Sequence, residues 1–292
     1  MLDVTGLGHV YPDGTRALEE VTLHLPPGMF GLLGPNGAGK STLMRCMATL
    51  QVPTSGRITF DGNDVLANPH KLRETLGYLP QDFGVYPRVS AYAMLDHLAL
   101  LKGIAARAAR KDTVESLLQQ VNLWPARHRT LAGFSGGMRQ RFGIAQALIG
   151  NPKLIIVDEP TAGLDPEERN RFLNLLAGIS EQVVVVLSTH IVEDVADLCS
   201  RMAILAGGRI QVQGVPAELM VTLRGRIWCK TIERRELEAY QAGHTVISQR
   251  LSGGKIVIHV ESDQHPGAGF APFSGGLEDL YFLTLRRTAT AA

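Results

Sequence analysis

Short apolar runs alternate with amphipathic segments over a large part of the chain. Residues 154–157, 183–187 and 202–206 are apolar runs of strand length, and patterns with helical spacing at 167–179 and 191–198 lie between them. A buried parallel strand reads as a continuous apolar run because helices cover both faces of its sheet. Alternation of such strands with helices is typical of α/β proteins, so this part of the sequence predicts a core with a mostly parallel sheet.

The first 25 residues follow the pattern of an antiparallel hairpin. Residues 2–25 alternate roughly between polar and apolar side chains on either side of Asp13 and Gly14, a dipeptide typical of hairpin turns. Successive side chains of a strand point to opposite faces, so His9 and Tyr11 are predicted to share the more polar face near the end of the first strand. The predicted fold therefore includes an N-terminal antiparallel β part.

Two further stretches depart from the strand–helix alternation. Residues 82–150 carry apolar positions at helical spacing and predict a helical insert. The pattern breaks again after residue 222, which divides the chain into predicted domains 1–222 and 223–292, the second a small α+β appendage with an accessory or regulatory role. The predicted elements of this appendage are a strand at 226–231, a helix at 233–240, a hairpin of 244–251 with 255–261, a loop at 262–276, a last helix at 277–285 and a frayed tail.

A glycine-rich segment follows the apolar run at residues 29–33 and fits the pattern G-x-x-x-x-G-K-[ST]. Glycines allow positive φ and close approach of a ligand, and successive N–H groups at a helix N-terminus form a concave anion site. Lys40 is expected to reach the β- and γ-phosphates of ATP, and Ser41 to bind Mg²⁺. The residues expected to hold the nucleotide here are Gly34, Pro35, Asn36, Gly37, Ala38, Gly39, Lys40, Ser41 and Thr42.

Two carboxylates follow the apolar run at residues 154–157. Ligands of open α/β sheets bind at the carboxyl ends of the strands, so Asp158 can complete the Mg²⁺ shell that Ser41 begins. Glu159, one residue on, is expected to act as the general base that polarises the attacking water. Together with the glycine-rich loop, the pair indicates a P-loop NTPase core that hydrolyses ATP.

The segment 134–138, Phe-Ser-Gly-Gly-Met, lies between these two motifs. It resembles the Leu-Ser-Gly-Gly-Gln signature of ATP-binding cassette (ABC) transporters, and residues 2–220 resemble their ATP-binding subunit. A hydroxyl and uncovered N–H groups before a helix form a second anion site, which in this family caps the ATP held by the other subunit. The resemblance thus implies a homodimer, or a pair with another ABC subunit, around two ATP molecules. The nucleotide-facing residues are Ser135, Gly136 and Gly137, and the departures from the family pattern are Phe134 and Met138.

Four more positions match motifs of the family in the expected order. They are Tyr11 for the aromatic that stacks on adenine, Gln81 for the Q-loop glutamine, Asp165 for the D-loop (residues 162–165) and His190 for the switch histidine. The resemblance implies that Gln81 touches Mg²⁺ and senses the γ-phosphate, that Asp165 lies at the dimer seam, and that His190 contacts the γ-phosphate. Glu159, His190 and Gln81 are therefore the predicted catalytic residues.

Composition and charge limit the kinds of partner and the cellular compartment that we expect for this protein. A net charge of +1 over 292 residues gives no drive toward nucleic acid or anionic membrane. No apolar run reaches the length of a membrane-spanning helix, and no signal-peptide pattern opens the chain. We therefore expect a separate transmembrane permease subunit, with this chain bound to it at the cytoplasmic face of the membrane. The three cysteines are widely spaced, which argues against a disulfide framework or zinc site and suits a reducing cytosol.

The function that follows from the resemblance is the ATPase motor of an ABC transporter. Residues 277–282 resemble the tail of single-cassette drug and antibiotic exporters, which favours export. The alternative is a soluble ABC ATPase that acts on ribosomes or nucleic acid, but such proteins carry two fused cassettes or coiled-coil or zinc insertions. A P-loop phosphotransferase would leave the signature and His190 unexplained.

Overall fold

The computed structural model describes residues 1–81, 83–84, 86–161 and 164–291. The strands in this part of the chain are β1 (Leu2–Val10), β2 (Arg16–Leu25), β3 (Gly28–Leu33), β4 (Ser55–Phe60), β5 (Asn63–Asp64), β6 (Leu76–Leu79), β7 (Leu154–Asp158), β8 (Val184–Thr189), β9 (Arg201–Ala206), β10 (Arg209–Gly214), β11 (Ile227–Ile232), β12 (Thr245–Ser252), β13 (Lys255–Glu261) and β14 (Ala271–Phe273). The α-helices are α1 (Lys40–Met47), α2 (Pro69–Glu74), α3 (Ala91–Leu101), α4 (Arg107–Gln120), α5 (Gly136–Leu148), α6 (Pro166–Ile179), α7 (Val192–Leu198), α8 (Pro216–Val221), α9 (Leu237–Gly243) and α10 (Leu277–Ala291).

The central sheet has the order β10-β9-β3-β8-β7-β6. Its strands pair in parallel except β10, which runs antiparallel to β9 at one edge. Along β7, Leu154 and Ile156 lie in one hydrophobic core, while Ile155 and Val157 lie in another on the opposite face. Burial on both faces is the reason that these strands are apolar throughout, and the predicted mostly parallel sheet is confirmed.

The two cores come from different parts of the chain. One face of the central sheet is covered by α1 and by the antiparallel sheet β2-β1-β4-β5, which contains the predicted hairpin. The other face is covered by the helical insert, in which α3, α4 and α5 pack around Leu95, Leu118 and Phe142. Helix α5 approaches β6 so closely that a Cβ at Gly77 would collide with the carbonyl oxygen of Ala147. The helical insert is therefore packed directly against the central sheet.

The C-terminal appendage differs from its prediction in two places. The segment predicted as a loop contains β14, which pairs antiparallel with β11 in the sheet β12-β13-β11-β14. The last helix continues to Ala291, where a frayed tail is predicted after residue 285. Long-range contacts hold this extra length, because Arg286 donates to the carbonyl oxygen of Val246 at 2.5 Å and Arg287 lies 2.6 Å from Glu261. No helix in the described ranges is both long and apolar enough to cross a membrane.

A buried carboxylate joins the appendage sheet to α10. Asp279 Oδ1 lies 2.6 Å from His259 Nδ1 and accepts a hydrogen bond from Ser248, while the Gly276 N–H donates to Oδ2. Burial by itself would raise the pKa of Asp279, but these hydrogen bonds, with His259 first among them, hold the pKa below its usual value. Because the folded pKa is depressed, this stabilisation is present at neutral pH and is lost as the pH falls through the folded value.

Helix α10 also belongs to a core that is shared with the central sheet. Its residues Leu277, Leu280 and Tyr281 are buried in the same cluster as Val195 of α7 and Ile204 of β9. Residues that share one continuous apolar core stabilise each other by packing. The appendage is thus fastened to the central sheet by packing.

We expect Leu280→Ala to destabilise the whole protein. Leu280 is 7% exposed, and truncation of a buried leucine costs about 2–5 kcal/mol of unfolding free energy. Thermal and urea unfolding should show one transition at a lower midpoint. Leu251→Ala is the matched control, because Leu251 is 69% exposed in the same appendage and should leave the midpoint unchanged. Two separate transitions, with only one shifted, would contradict a shared core.

Candidate active site

The glycine-rich loop joins β3 to α1, and its glycines are required for two reasons. Gly37 and Gly39 have φ values of 79° and 104°, a region that favours glycine. A Cβ at Gly34 would collide with the carbonyl oxygen of Leu205, and one at Gly39 with that of Ala17. The loop is therefore drawn tightly against its neighbours while Asn36 stays exposed at its tip. The concave anion site and the role of each residue toward ATP stay predictions.

Lys40 opens α1, and its side chain turns back over the loop. Its Nζ donates to the carbonyl oxygens of Gly34 at 2.7 Å and Pro35 at 3.2 Å. The same Nζ lies 3.3 Å from Glu159 Oε1, and the two side chains are 5% and 11% exposed. A buried ammonium is costly unless it is paired and hydrogen-bonded, and here it is both.

Glu159 is the point where the predicted catalytic residues meet. Its Oε2 lies 3.4 Å from Nδ1 of His190 and 3.5 Å from Nε2 of Gln81. Gln81, Glu159 and His190 follow β6, β7 and β8, which are neighbours in the parallel sheet, so their carboxyl ends share one edge. The structure therefore brings together all three of the predicted catalytic residues.

The backbone of Glu159 has a feature that the sequence does not reveal. Its φ is +45°, which is unusual for a residue with a side chain. The N–H of Glu159 donates to the carbonyl oxygen of Ser188 at 3.1 Å and lies 3.2 Å from the Ser188 hydroxyl. Conformations of this kind persist only where surrounding contacts hold them, and they concentrate at functional sites.

The residues predicted to hold Mg²⁺ have suitable chemistry. Asp158 is buried at the end of β7 and accepts a hydrogen bond from Ser188, a residue that the sequence analysis missed. Ser41 lies in the first turn of α1, and Gln81 follows β6. A carboxylate, a hydroxyl and an amide oxygen are the hard ligands that Mg²⁺ takes, so this donor set fits the ion. Burial, and then the charge of Asp158, raise the pKa of the Tyr78 hydroxyl.

Tyr11 lies just beyond β1, beside the helix that follows the glycine-rich loop. Its hydroxyl is 2.9 Å from Oγ1 of Thr42, and its ring meets that of His9 edge to face with centroids 4.7 Å apart. The structure therefore places Tyr11 next to the loop predicted to bind phosphate. Stacking of its ring on adenine stays a prediction.

The signature residues form a second group at the start of α5. Ser135 caps this helix, because its Oγ accepts from the Met138 N–H at 3.2 Å. Ser135 and Gly136 are exposed, while Gly137 packs so closely on α6 that a Cβ there would lie 2.7 Å from Oε2 of Glu168. Across the described residues, no hydrogen bond or ion pair joins this group to residues 34–42.

Asp165 is connected to the signature helix α5 through Glu168. Its Oδ1 caps α6 by accepting from the Glu168 N–H at 2.8 Å. The Glu168 carboxylate in turn lies 3.3 Å from Arg141 of α5, so one residue connects the start of α6 with the signature helix. The D-loop positions Ala162 and Gly163 lie outside the described residues.

Comparison with known proteins decides the family. The ABC transporter family model matches residues 18–162, which include the glycine-rich loop, the signature and both strand-end carboxylates. The daunorubicin/doxorubicin resistance ATP-binding protein DrrA of Streptomyces peucetius is 32% identical over 269 residues, 91% of this chain and 79% of the relative. The chain belongs to the ATP-binding proteins of ABC transporters.

Other members of the ABC family support the same assignment. The methionine import ATP-binding protein MetN 2 of Yersinia pestis bv. Antiqua (strain Antiqua) is 36% identical over 293 residues, 95% of this chain and 88% of that protein. A solved dimer of an ATP-binding cassette in a post-hydrolysis state, bound to ADP and Pi, superposes with a TM-score of 0.68 at 26% identity. The superposition covers 98% of that cassette and 74% of this chain. The predicted family and fold are thus confirmed, and the protein is an ABC ATPase.

Lys40→Ala should abolish ATP binding or reduce it strongly. The Lys40 ammonium is the buried cation of the glycine-rich loop, and P-loop enzymes use this charge at the β- and γ-phosphates. Titration with a fluorescent ATP analogue and a phosphate-release assay measure the two effects. Lys111→Ala, on the exposed side of α4, is the matched control and should behave as wild type. Unchanged hydrolysis in Lys40→Ala would remove the assignment of the loop.

Proposed function

We propose that this ABC ATPase is the motor subunit of a transporter and works as a dimer that encloses two ATP molecules with Mg²⁺. The observation that carries the proposal is the division of the site into two groups. Lys40, Asp158 and Glu159 lie together at the sheet edge, whereas the exposed N-terminus of α5 with Ser135 and Gly136 is not bonded to them. A second copy that supplies its α5 to the first copy's loop would complete the site, and the related cassette bound to ADP and Pi is a dimer.

In this proposal each part of the site has one task. Tyr11 stacks on adenine, and residues 34–42 surround the phosphates with N–H groups and the Lys40 ammonium. Ser41, Asp158 and Gln81 would hold Mg²⁺, which neutralises charge that develops on the phosphate oxygens when it is bound. The partner's signature closes over the γ-phosphate, and Asp165 lies at the seam between the two subunits.

Hydrolysis is assigned to the group around Glu159. The Glu159 carboxylate takes a proton from the attacking water, and for this it has to exchange its contact with Lys40 for one with water. His190, 3.4 Å from Glu159 in this structure, would contact the γ-phosphate and hold the water in line. Gln81 connects the same carboxylate to the segment that leads into the helical insert.

The transport role needs a partner, for which we propose a transmembrane permease at the cytoplasmic face of the membrane. Residues 1–222 would bind ATP, and residues 223–292 would be an accessory or regulatory domain. We further propose export, because residues 277–282 resemble the exporter tail and the drug-resistance relative aligns with 91% of this chain. The methionine import relative aligns with 95%, so the direction rests on the tail resemblance and requires a transport assay.

The partner and the direction can be tested together. The tagged chain is purified from detergent-extracted membranes, and the co-purifying membrane protein is reconstituted with it in vesicles with ATP outside. Uptake of a drug into the lumen supports export, and release from the lumen means import. Co-purification of ribosomes or nucleic acid, without a membrane protein, would support the non-transport alternative instead.

Glu159→Gln should separate ATP binding from hydrolysis. Glutamine keeps the size of the side chain but cannot take a proton, and general-base catalysis contributes about 10²–10⁴-fold, so hydrolysis should fall by that factor. Lys40, Ser41 and Asp158 remain, so Mg²⁺-ATP should still bind and accumulate in a closed dimer. Size-exclusion chromatography with Mg²⁺-ATP measures the shift, and the added change Lys40→Ala should reverse it. A monomeric, fully active Glu159→Gln protein would overturn the assigned base.

Ser135→Arg should block closure of the dimer while ATP still binds to the monomer. Ser135 is exposed and lies outside the group around Lys40, so a large cation there obstructs only the partner's nucleotide. Loss of the helix cap costs only about 1 kcal/mol. Ser252→Arg is the matched control, because Ser252 also precedes two glycines but lies in the β12–β13 hairpin. Loss of ATP binding in monomeric Ser135→Arg would place the signature in its own subunit's site.

A further inference from the structure

A buried carboxylate lies behind the catalytic edge of the sheet, at the start of α7. Asp194 is 1% exposed. Its Oδ1 accepts from Arg169 Nε at 2.7 Å, and its Oδ2 accepts from the hydroxyls of Thr161 at 2.9 Å and Thr189 at 3.4 Å. Burial of an ionised carboxylate is costly unless it is paired and hydrogen-bonded, and Asp194 is satisfied by three different segments.

Two of these segments adjoin predicted catalytic residues, and the third is the helix α6. Thr161 lies two residues after Glu159, and Thr189 immediately precedes His190. The Thr189 hydroxyl also accepts from the Ile191 N–H at 2.9 Å, so it fixes the backbone on both sides of His190. Arg169 belongs to α6, the helix that Asp165 caps. Asp194 therefore connects the segments that carry the proposed base, the switch histidine and the seam residue.

The backbone conformation of Glu159 shows why support from neighbouring segments is needed. Its φ of +45° is a strained conformation that needs support from outside the turn. The Ser188 contacts hold its N–H from one side. The hydrogen bond from Thr161 to Asp194 anchors the chain two residues further on, where it leaves the turn. Glu159 lies between the two anchors, and its carboxylate is 3.4 Å from Nδ1 of His190.

We propose that Asp194 is a positioning residue for ATP hydrolysis. It acts through Thr161 and Thr189 to hold Glu159 and His190 in their relative positions. The inference rests on the proposed function, because it assumes that Glu159 is the base and that His190 acts beside it. Among the described residues, no hydrogen bond or ion pair joins Asp194 to the loop at 34–42 or to the signature. Its loss should therefore change the rate of hydrolysis and leave the affinity for ATP almost unchanged.

Thr161→Val is the main test, because it removes one hydroxyl and leaves the Asp194–Arg169 pair intact. Displacement of catalytic groups by about 1 Å can cost about 100-fold in rate, so we expect kcat to fall by about 10- to 100-fold. KM and the Kd of a fluorescent ATP analogue should stay within about threefold, since the loop at 34–42 is untouched. Thr161→Ser restores the hydroxyl and should restore kcat.

Asp194→Asn tests the carboxylate itself, and its neighbour provides the control. Asparagine can still accept from the threonines but leaves Arg169 without its buried anion, so we expect lower kcat together with a lower melting temperature. Glu193→Gln changes the adjacent carboxylate on the same helix, which is 73% exposed and 4.0 Å from Arg169. This variant should match wild type in kcat, Kd and melting temperature.

The outcomes separate a positioning role from a structural one. Folded Thr161→Val and Asp194→Asn proteins with wild-type kcat would overturn the inference, as would equal losses of kcat, ATP binding and folded fraction. Unfolding of both variants would assign Asp194 a purely structural role. Glu159→Gln, assayed in parallel, distinguishes failure of the proposed function from failure of the role of Asp194. If it stays active, the proposed function fails, whereas an inactive Glu159→Gln beside a normal Thr161→Val refutes only the role of Asp194.

Discussion

A buried ammonium group sets the main constraint on this structure. Lys40 Nζ is enclosed by the glycine-rich loop, and Glu159 Oε1 at 3.3 Å is the carboxylate that balances it. The two residues are far apart in sequence and meet because β3, β8 and β7 are adjacent in the parallel sheet, with their carboxyl ends at one edge. Breaking a buried pair by removing one partner leaves an uncompensated charge. The same pairing connects the glycine-rich loop to the carboxylate that we propose as the general base.

The appendage is connected to this edge through α7. One end of that helix carries Asp194, while Val195 shares a core with Leu280 of α10. Tight cores transmit small displacements because they have few voids in which a shift can be absorbed. A domain boundary near residue 222 therefore describes the pattern of the sequence, whereas the packing places α10 in the same core as α7 and β9. An accessory role for the appendage would be exerted through packing on α7.

Local patterns predicted much of the fold and most of the site. The glycine-rich loop and the carboxylates 158–159 are signalled by residues that are neighbours in sequence. The features that were missed depend on distant pairing. His9 is predicted on the polar face, yet it is buried, because Gly6 has a φ of +57° and β1 shifts register there and again before His9. The extent of α10, the strand β14 and the contacts of Asp194 likewise depend on partners that periodicity does not reveal.

The geometry around Ser135 explains how the two departures from the family signature are tolerated. What Met138 contributes to the helix cap is its backbone N–H, which donates to Ser135 Oγ, and every residue except proline has that group. The Met138 side chain packs against the core. Phe134 is buried, and its ring meets Phe142 edge to face with centroids 6.5 Å apart, so it fixes the loop as an apolar leucine would. The cap therefore needs only Ser135 and a backbone N–H, which is why this signature can differ at both flanks and keep its helix cap.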